Sequence, residues 1–370
     1  MNTHIKTIIV GGGLSGLYAA SLLEQKNQDY LLIEARERFG GRIVSTGLNH
    51  NQEANVDLGP SWFWPNINPL LSALAEELGI KRYKQFGNGH YLLEKARGAP
   101  PQAINLGYDI MPDTYRLEGG MQAIINALLD KIPTHKRHTD REVEQITQND
   151  DDTYTLTFSQ PEETLTLTAT SLIFAMPLRL IARKIHFEPP LNQQLQNVFN
   201  NTETWMAAHA KAVFIYDKPF WRENGFSGSA SSNVGPMVEI HDASPEIDGE
   251  PQYGALMGFM GINGPARKTA GDETLKALAQ KQLVKLFGPE ADNPISVQYI
   301  DWFQERFTAT NDDVATMHGL YGLTQKDRNH PNIFFAGTET SRQYGGYVEG
   351  ALDAASNAVN QLMETSLQAL

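Results

Sequence analysis

Thr7-Ile8-Ile9-Val10-Gly11-Gly12-Gly13-Leu14-Ser15-Gly16 is an apolar, β-rich run that stops at three glycines and turns into a helical pattern of Leu14, Leu17, Tyr18, Ser21 and Leu22. The order is strand, tight turn, helix. In such a unit Gly11 permits the turn, Gly13 lets the backbone approach a pyrophosphate, and Gly16 lets helix and strand pack closely. The helix N-terminus, at Leu14 and Ser15, offers free N–H groups to the phosphates. A second apolar run, Tyr30-Leu31-Leu32-Ile33, ends at Glu34. A carboxylate about twenty residues past the glycines is placed to accept hydrogen bonds from ribose hydroxyls. The spacing predicts a βαβ dinucleotide-binding unit.

The residues after Glu34 distinguish one dinucleotide from another. Ala35-Arg36 leads to Gly40-Gly41-Arg42. The glycines allow another close backbone approach, and Arg42 supplies a guanidinium that pairs with a phosphate in fixed fork geometry. The glycine fingerprint, the acidic residue closing the second strand and this Gly-Gly-Arg resemble the flavin-dependent amine oxidase family, whose members include the monoamine and polyamine oxidases. The resemblance continues through Asp57-Leu58-Gly59-Pro60-Ser61-Trp62, Glu118-Gly119-Gly120, Arg141-Glu142-Val143, Ala175-Met176-Pro177, Lys211 to Trp221, Asp301-Trp302 and Phe335 to Ala351. It implies an α/β chain with a discontinuous Rossmann-type FAD-binding domain and a mixed α+β substrate domain, as in monoamine oxidase.

By this resemblance FAD is held by Gly11, Gly13, Leu14, Ser15, Gly16, Glu34, Ala35, Arg36, Gly41 and Arg42. Further contacts come from Gly59, Pro60, Ser61 and Trp62, from Val143 and Trp302, and from Gly337, Thr338, Glu339, Gly346, Tyr347 and Val348. Lys211 matches the lysine that the family sets on a strand facing the flavin, linked through water to N5. A cation there stabilises the anionic reduced flavin and the superoxide formed as oxygen takes electrons back. Without the Pro219-Phe220-Trp221 that follows, Lys211 would read as a surface lysine; His209 on the same strand reads as structural. Gly337-Thr338-Glu339-Thr340 matches a second nucleotide-binding turn. The closing helix, from Gly346 onward, would set its N-terminus and the Val348 N–H toward the flavin pyrimidine. Tyr347 matches one wall of the aromatic cage that aligns the amine, which makes Lys211 and Tyr347 the catalytic candidates.

The implied reaction moves a hydride equivalent from the α-carbon of a neutral amine to flavin N5 and releases an imine, with O2 reduced to hydrogen peroxide. No side chain stands out as a general base, and none is required if the amine binds deprotonated. The chain departs from the family at two places. Where monoamine oxidases carry the flavin-bonding cysteine and the second cage tyrosine, it has Asn311 and Asp312. Asp312 beside a cationic amine would be a workable substitute, or a solvated loop carboxylate. The first substrate insertion, about 69–114, is short, so the pocket is shallow, open or completed by a partner. Trp64, with Trp62, Phe63, Tyr108, Tyr115 and Trp205, is a candidate for lining it. Two other readings keep the flavin: a desaturase or protoporphyrinogen oxidase acting on C–C bonds, which needs a wide apolar pocket, and a flavin-binding subunit without oxidase activity.

Composition bounds these expectations. The 370 residues, 41% hydrophobic and 9% aromatic, suffice for two globular domains. A net charge of -13 argues against a nucleic-acid surface and mildly favours the approach of cations. With no cysteine, disulfides and a cysteinyl-flavin bond are excluded, so FAD would be noncovalent. The ten histidines show no metal-binding spacing, and no metal is expected. The fingerprint lies inside the N-terminal apolar run, so that run reads as folded sequence rather than an export signal. No apolar stretch approaches the ~18 residues of a membrane span, and a cytoplasmic location is expected.

Periodicity gives the organisation. Helices are expected at Asn68 to Ile80, Gln122 to Leu129 and Glu273 to Leu286. Strictly alternating runs at Thr153 to Phe158 and Thr164 to Leu167, around Gln160 to Glu163, predict a hairpin. Buried strands are expected at Leu172 to Ala175 and Asn332 to Ala336, and β patterns at Met206 to Ile215 and Tyr253 to Met260. Because a late buried strand commonly rejoins the first sheet, the FAD-binding domain is expected to comprise 1–68, 115–203 and 300–370, and the substrate domain 69–114 and 204–299. Oligomeric state is not legible.

Overall fold

The computed structural model describes residues 4–48, 54–159, 166–314, 318–322 and 326–368. The chain divides into two compact units, Met1–Arg42 with Ile125–Met206 and Arg306–Leu370, and Ile43–Ile124 with Ala207–Glu305.

The first unit is built on a parallel sheet. His4–Val10 pairs with Tyr30–Ile33 on one side and Thr166–Phe174 on the other. The sheet continues to Arg137–His138 at one end and Ile333–Phe335 at the other, all parallel. Ile8, Ile9, Leu32, Leu172 and Ile173 are completely buried, as expected of strands covered on both faces. The late strand does rejoin the first sheet, because Ile333–Phe335 takes the register Leu172↔Ile333 to Phe174↔Phe335. The opening helix, Leu14–Gln25, packs against the closing helix, Val348–Gln368. At its other end Thr166–Phe174 turns antiparallel to Tyr154–Ser159, which continues to Glu142–Gln148 and His186–Glu188.

Three expectations here need correction. Thr166 and Leu167, the described part of the run from Thr164, and Leu172 to Phe174 belong to one strand, Thr166–Phe174, which ends before Ala175. Its first half alternates because it is partly exposed, and its second half is buried on both faces. The hairpin turn, Gln160 to Glu163, lies outside the described residues. Pro177 precedes an unforeseen helix, Leu178–Lys184, since proline is well tolerated at a helix start. The closing helix begins at Val348 rather than Gly346, because Gly346 has φ +85°.

The second unit has a seven-stranded sheet in the order Ser296–Asp301, Ala210–Tyr216, Gly254–Met260, Met237–Asp242, Phe226–Ser232, His90–Glu94 and Gln102–Ile104. On one face Leu275, Ala279, Leu283 and Leu286 of the helix Asp272–Phe287 cover Ala212, Phe214 and Leu256. On the other face Val213, Ile215, Ala255 and Met257 cluster with Val56 and Leu58. The β pattern from Met206 becomes a strand only at Ala210, since Met206 has φ +64°, incompatible with an extended chain.

A buried ion pair holds the edge of this sheet. Arg267 donates through Nε to Asp301 at 3.0 Å and through Nη2 to the Ala208 carbonyl at 3.0 Å, with both side chains almost wholly enclosed. Replacing Arg267 by Met leaves the Asp301 charge buried without its partner, and should lower the unfolding free energy by about 3–5 kcal/mol in a denaturant titration. A loss below about 1 kcal/mol would show that the pair contributes little beyond packing.

Candidate active site

In the first unit the carboxyl ends of the parallel strands come together, where open α/β sheets bind ligands. Val10 runs into Gly11, Ile33 into Glu34, and Phe335 into Ala336-Gly337. Gly11 has φ +109°, and a Cβ there would lie 2.5 Å from the Ala175 carbonyl oxygen. A Cβ at Gly16 would lie 1.8 Å from the Gly11 oxygen, so only glycine lets the helix start on the strand end. The Ser15 hydroxyl donates to the Ala336 carbonyl and ties that start to the last strand.

Glu34, 4% exposed, accepts the Gly12 N–H at 2.7 Å with Oε2 and the Arg36 N–H at 2.9 Å with Oε1. Each carboxylate oxygen has a further acceptor site, so room remains for ribose hydroxyls. The second glycine pair docks on the first through Gly40 N–H to the Gly12 carbonyl at 2.8 Å, and Gly41 has φ +58°. Arg42 donates to Glu339 Oε1 at 2.9 Å and to the Trp205 carbonyl at 3.4 Å, which leaves other guanidinium protons to meet an anion. Glu339 is 1% exposed and its Oε2 has no hydrogen-bond partner. An enclosed carboxylate oxygen lacking a donor calls for one from a bound group, and with the open glycine backbone these residues fit a dinucleotide. Thr338 Oγ1 donates to the Tyr347 carbonyl at 2.8 Å and fixes the approach to the closing helix.

In the second unit Lys211 is buried on the strand Ala210–Tyr216. Its ammonium donates to the Gly59 carbonyl at 2.7 Å, Ser61 Oγ at 2.8 Å and the Asp57 carbonyl at 3.2 Å. Three protons meet three acceptors, which satisfies a buried ammonium. Burial pulls its pKa down to about 7, while the Asp57 charge works against the shift and Arg116 adds to it. The turn that offers these oxygens is itself anchored. The Asp57 carboxylate accepts Ser45 Oγ at 2.5 Å and the Met121 N–H at 2.8 Å, with the Arg116 guanidinium 3.9 Å away. Burial pushes the Asp57 carboxyl up, and Arg116 and these hydrogen bonds oppose it. Trp302 Nε1 donates to the Leu58 carbonyl at 3.3 Å, and Trp62 lies under the Arg116 guanidinium.

The first unit also gathers four rings. Tyr347, 45% exposed, stacks on His318 with centroids 5.4 Å apart and planes at 29°. Trp205 and Tyr321 each meet His318 edge-on at 4.8 Å. A Cβ at Gly345 would lie 2.4 Å from Tyr321, and one at Gly346 2.6 Å from Trp205, so these glycines let both rings lie on the chain.

Other expected residues make further contacts. Asp312, expected to meet a cationic substrate, is half exposed and ion-paired with Arg183 at 2.8 Å; the buried neighbour is Asp313, paired with Arg179. Trp64, expected to line a pocket, donates to Thr114 Oγ1 at 2.9 Å, and its backbone N–H donates to Asn68. Arg36 donates to Thr308 Oγ1 at 2.9 Å and lies over Phe307. The Val143 side chain belongs to the first unit's core. Sequence reading missed His318 and Arg116. The run His318-Gly319-Leu320-Tyr321, with two ring-bearing side chains, was the available signal for the first. Among the described residues no group of His, Asp and Glu is arranged to hold a metal ion, and no helix is long and apolar enough to cross a membrane.

Comparison with known proteins agrees with this geometry. The family model described as flavin containing amine oxidoreductase matches residues 105–363, and that of an NAD(P)-binding Rossmann-like domain matches residues 9–78. Amine oxidase [flavin-containing] B of Sus scrofa is 26% identical, over 98% of this chain and 87% of the relative. Among solved structures, wild-type putrescine oxidase bound to putrescine superposes with a TM-score of 0.80 at 18% identity, covering 98% of this chain and 100% of the other. Cyclohexylamine oxidase from Brevibacterium oxydans gives 0.79 at 19% identity, covering 98% and 99%. A dinucleotide cradle at the ends of a parallel sheet, a family model matched over more than half the chain and a relative aligned over nearly all of it agree: this chain belongs to the flavin containing amine oxidoreductase family.

Proposed function

We propose that the protein is an FAD-dependent amine oxidase that holds its flavin noncovalently and uses O2 as electron acceptor. The observation that carries this reading is the buried Lys211 ammonium, seated on three oxygens in the sequence context that the family sets beside flavin N5. When bound, the flavin would supply the redox chemistry, taking a hydride equivalent from the amine α-carbon so that an imine leaves and O2 becomes hydrogen peroxide. In this reading Glu34 binds the adenosine ribose, and Arg42, oriented by Glu339, meets the pyrophosphate. The N–H groups at Val348 face the flavin pyrimidine. Below its pKa of about 7 Lys211 carries a positive charge at Nζ, stabilised by the Gly59, Asp57 and Ser61 oxygens, where negative charge develops. Tyr347 orients the amine, and His318 is the ring stacked on it.

The FAD-binding residues are proposed to come from 1–68, 115–203 and 300–370, and substrate-binding residues from 69–114 and 204–299. The absence of cysteine supports the noncovalent cofactor. A cytoplasmic location is proposed on the sequence reading alone.

The direct test is the visible spectrum of the purified protein, recorded anaerobically before and after adding amines. Bleaching of an oxidised flavin band by amines is the expected result. A band that no amine bleaches would overturn the proposed activity, and no flavin after reconstitution with FAD would overturn the cofactor. Replacing Glu34 by Ala should lower FAD occupancy after gel filtration, since two backbone N–H groups and the ribose lose their acceptor; full occupancy would remove the ribose assignment. Lys211→Met should retain FAD but slow flavin reoxidation by O2 on the order of tenfold or more, because one charge is lost where charge develops. The lysine proton is present below its folded-state pKa of about 7 and lost above it. Wild-type reoxidation should therefore slow as pH rises through neutrality, while the Met variant stays flat in stopped-flow traces.

A further inference from the structure

The turn 57–62 meets two enclosed cations, Lys211 and Arg116, and the proposed reaction gives the second no part. Arg116 lies on the strand Tyr115–Leu117, with its side chain 3% exposed. Nε donates to Gln85 Oε1 at 2.5 Å and Nη2 to the Asp242 carbonyl at 3.2 Å. Nη1 stands 3.9 Å from Asp57 Oδ2, beyond hydrogen-bond reach. The hydrogen bonds that hold this guanidinium therefore come from neutral groups. Gln85, also buried, is fixed in turn. Its Oε1 accepts from Trp62 Nε1 at 2.7 Å, and its Nε2 donates to the Phe86 and Asp242 carbonyls, each at 2.9 Å. With the Trp62 ring centroid 5.4 Å from the guanidinium carbon, Arg116 has little freedom to move away from the turn.

On that turn the Asp57 and Gly59 carbonyls and the Ser61 hydroxyl accept from Lys211 Nζ, while the Asp57 carboxylate and the Trp62 ring face Arg116. Two cations enclosed on one turn repel each other where water screens them weakly. They do not respond alike. A guanidinium keeps its proton at any working pH, whereas a desolvated ammonium gives its proton up, so the repulsion is expressed at Nζ. Burial lowers the Lys211 pKa to about 7, the Asp57 charge opposes the shift, and Arg116 adds to it. Other titratable groups around the lysine are engaged with one another or kept uncharged. His209, two residues back along the strand, is pushed toward its neutral form by burial and by Arg267, and burial keeps the Tyr83 phenol protonated. Asp301 on the adjoining strand is held by Arg267, and Glu239 and His241, on the strand beyond Phe259, pair with each other. Nζ donates to none of them.

Building on the amine oxidase reading, in which Lys211 serves flavin reoxidation, we propose that Arg116 is a positioning residue that sets the pH limit of that step. It is a permanent cation, fixed by Gln85 and Trp62 against the turn that holds Lys211, and it makes the Nζ proton easier to lose. An ammonium with its ordinary pKa would stay charged throughout the neutral range. With Arg116 beside the turn, the charge at Nζ is graded across that range.

The test is stopped-flow reoxidation by O2 of the FAD-loaded enzyme, photoreduced beforehand so that no amine is involved, measured against pH. Arg116→Gln should move the fall in rate to higher pH by about half a unit or more, since one nearby positive charge is removed. Arg116→Lys keeps the charge and should leave the midpoint close to that of the wild type. Because Arg116→Gln leaves the enclosed Asp57 carboxylate without its cation, the same change is also made in Asp57→Asn, where there is no carboxylate to strand. The double variant should lose its rate at higher pH than Asp57→Asn alone. No difference between those two midpoints, or an Arg116→Lys shift as large as that of Arg116→Gln, overturns the role of Arg116 and leaves the amine oxidase reading standing. A wild-type rate that stays flat through neutrality overturns the Lys211 assignment and this inference together.

Discussion

A methyl group at Gly16 would sit 1.8 Å from the Gly11 carbonyl oxygen. No other residue lets the opening helix start directly on the end of the first strand, and the rest of the cradle depends on that closeness. It turns the free N–H groups of the first helical turn toward the strand ends, where Glu34, Gly41 and Gly337 converge from separate parts of the sequence. The second glycine pair then docks through the Gly12 carbonyl, and Arg42 is held by Glu339. The site is thus assembled from backbone geometry first and side-chain charge second. This suits a ligand whose phosphates are recognised by N–H groups and a fork-shaped cation.

The second unit solves a different problem, that of housing a lysine inside a protein. Desolvation works against the ammonium, and the structure answers with three oxygens on a short turn. That turn is itself pinned by the Asp57 carboxylate, which meets Ser45, the Met121 N–H and Arg116. Asp57 therefore acts twice, through its carbonyl on Lys211 and through its carboxylate on the scaffold. The three oxygens offset part of the burial that pulls the Lys211 pKa down to about 7.

The residues proposed to recognise substrate are the least family-like part of the chain. Tyr347 stands where the family has a cage tyrosine, but its stacked neighbour is the imidazole of His318. An imidazole keeps the flat shape of a cage wall and adds a hydrogen-bonding edge.

The nucleotide-binding unit was legible in the sequence because its determinants are local. Tyr30–Ile33 and Leu14–Gln25 each announce themselves by apolar periodicity, and the glycines between them by the turn they permit. The helix Asp272–Phe287 was equally plain from its spacing. Boundaries failed where a single φ decided them, as at Met206 and Gly346, since periodicity does not report a dihedral. Residues defined by remote partners were not readable. His318 owes its place to Trp205, Tyr321 and Tyr347, and Asp312 was assigned by motif alignment but is paired with Arg183. By itself the sequence determined the cofactor fold and the reaction family, whose signals lie in short runs of residues. Tertiary structure decided which charged and aromatic groups meet, because burial and register join side chains that the chain separates.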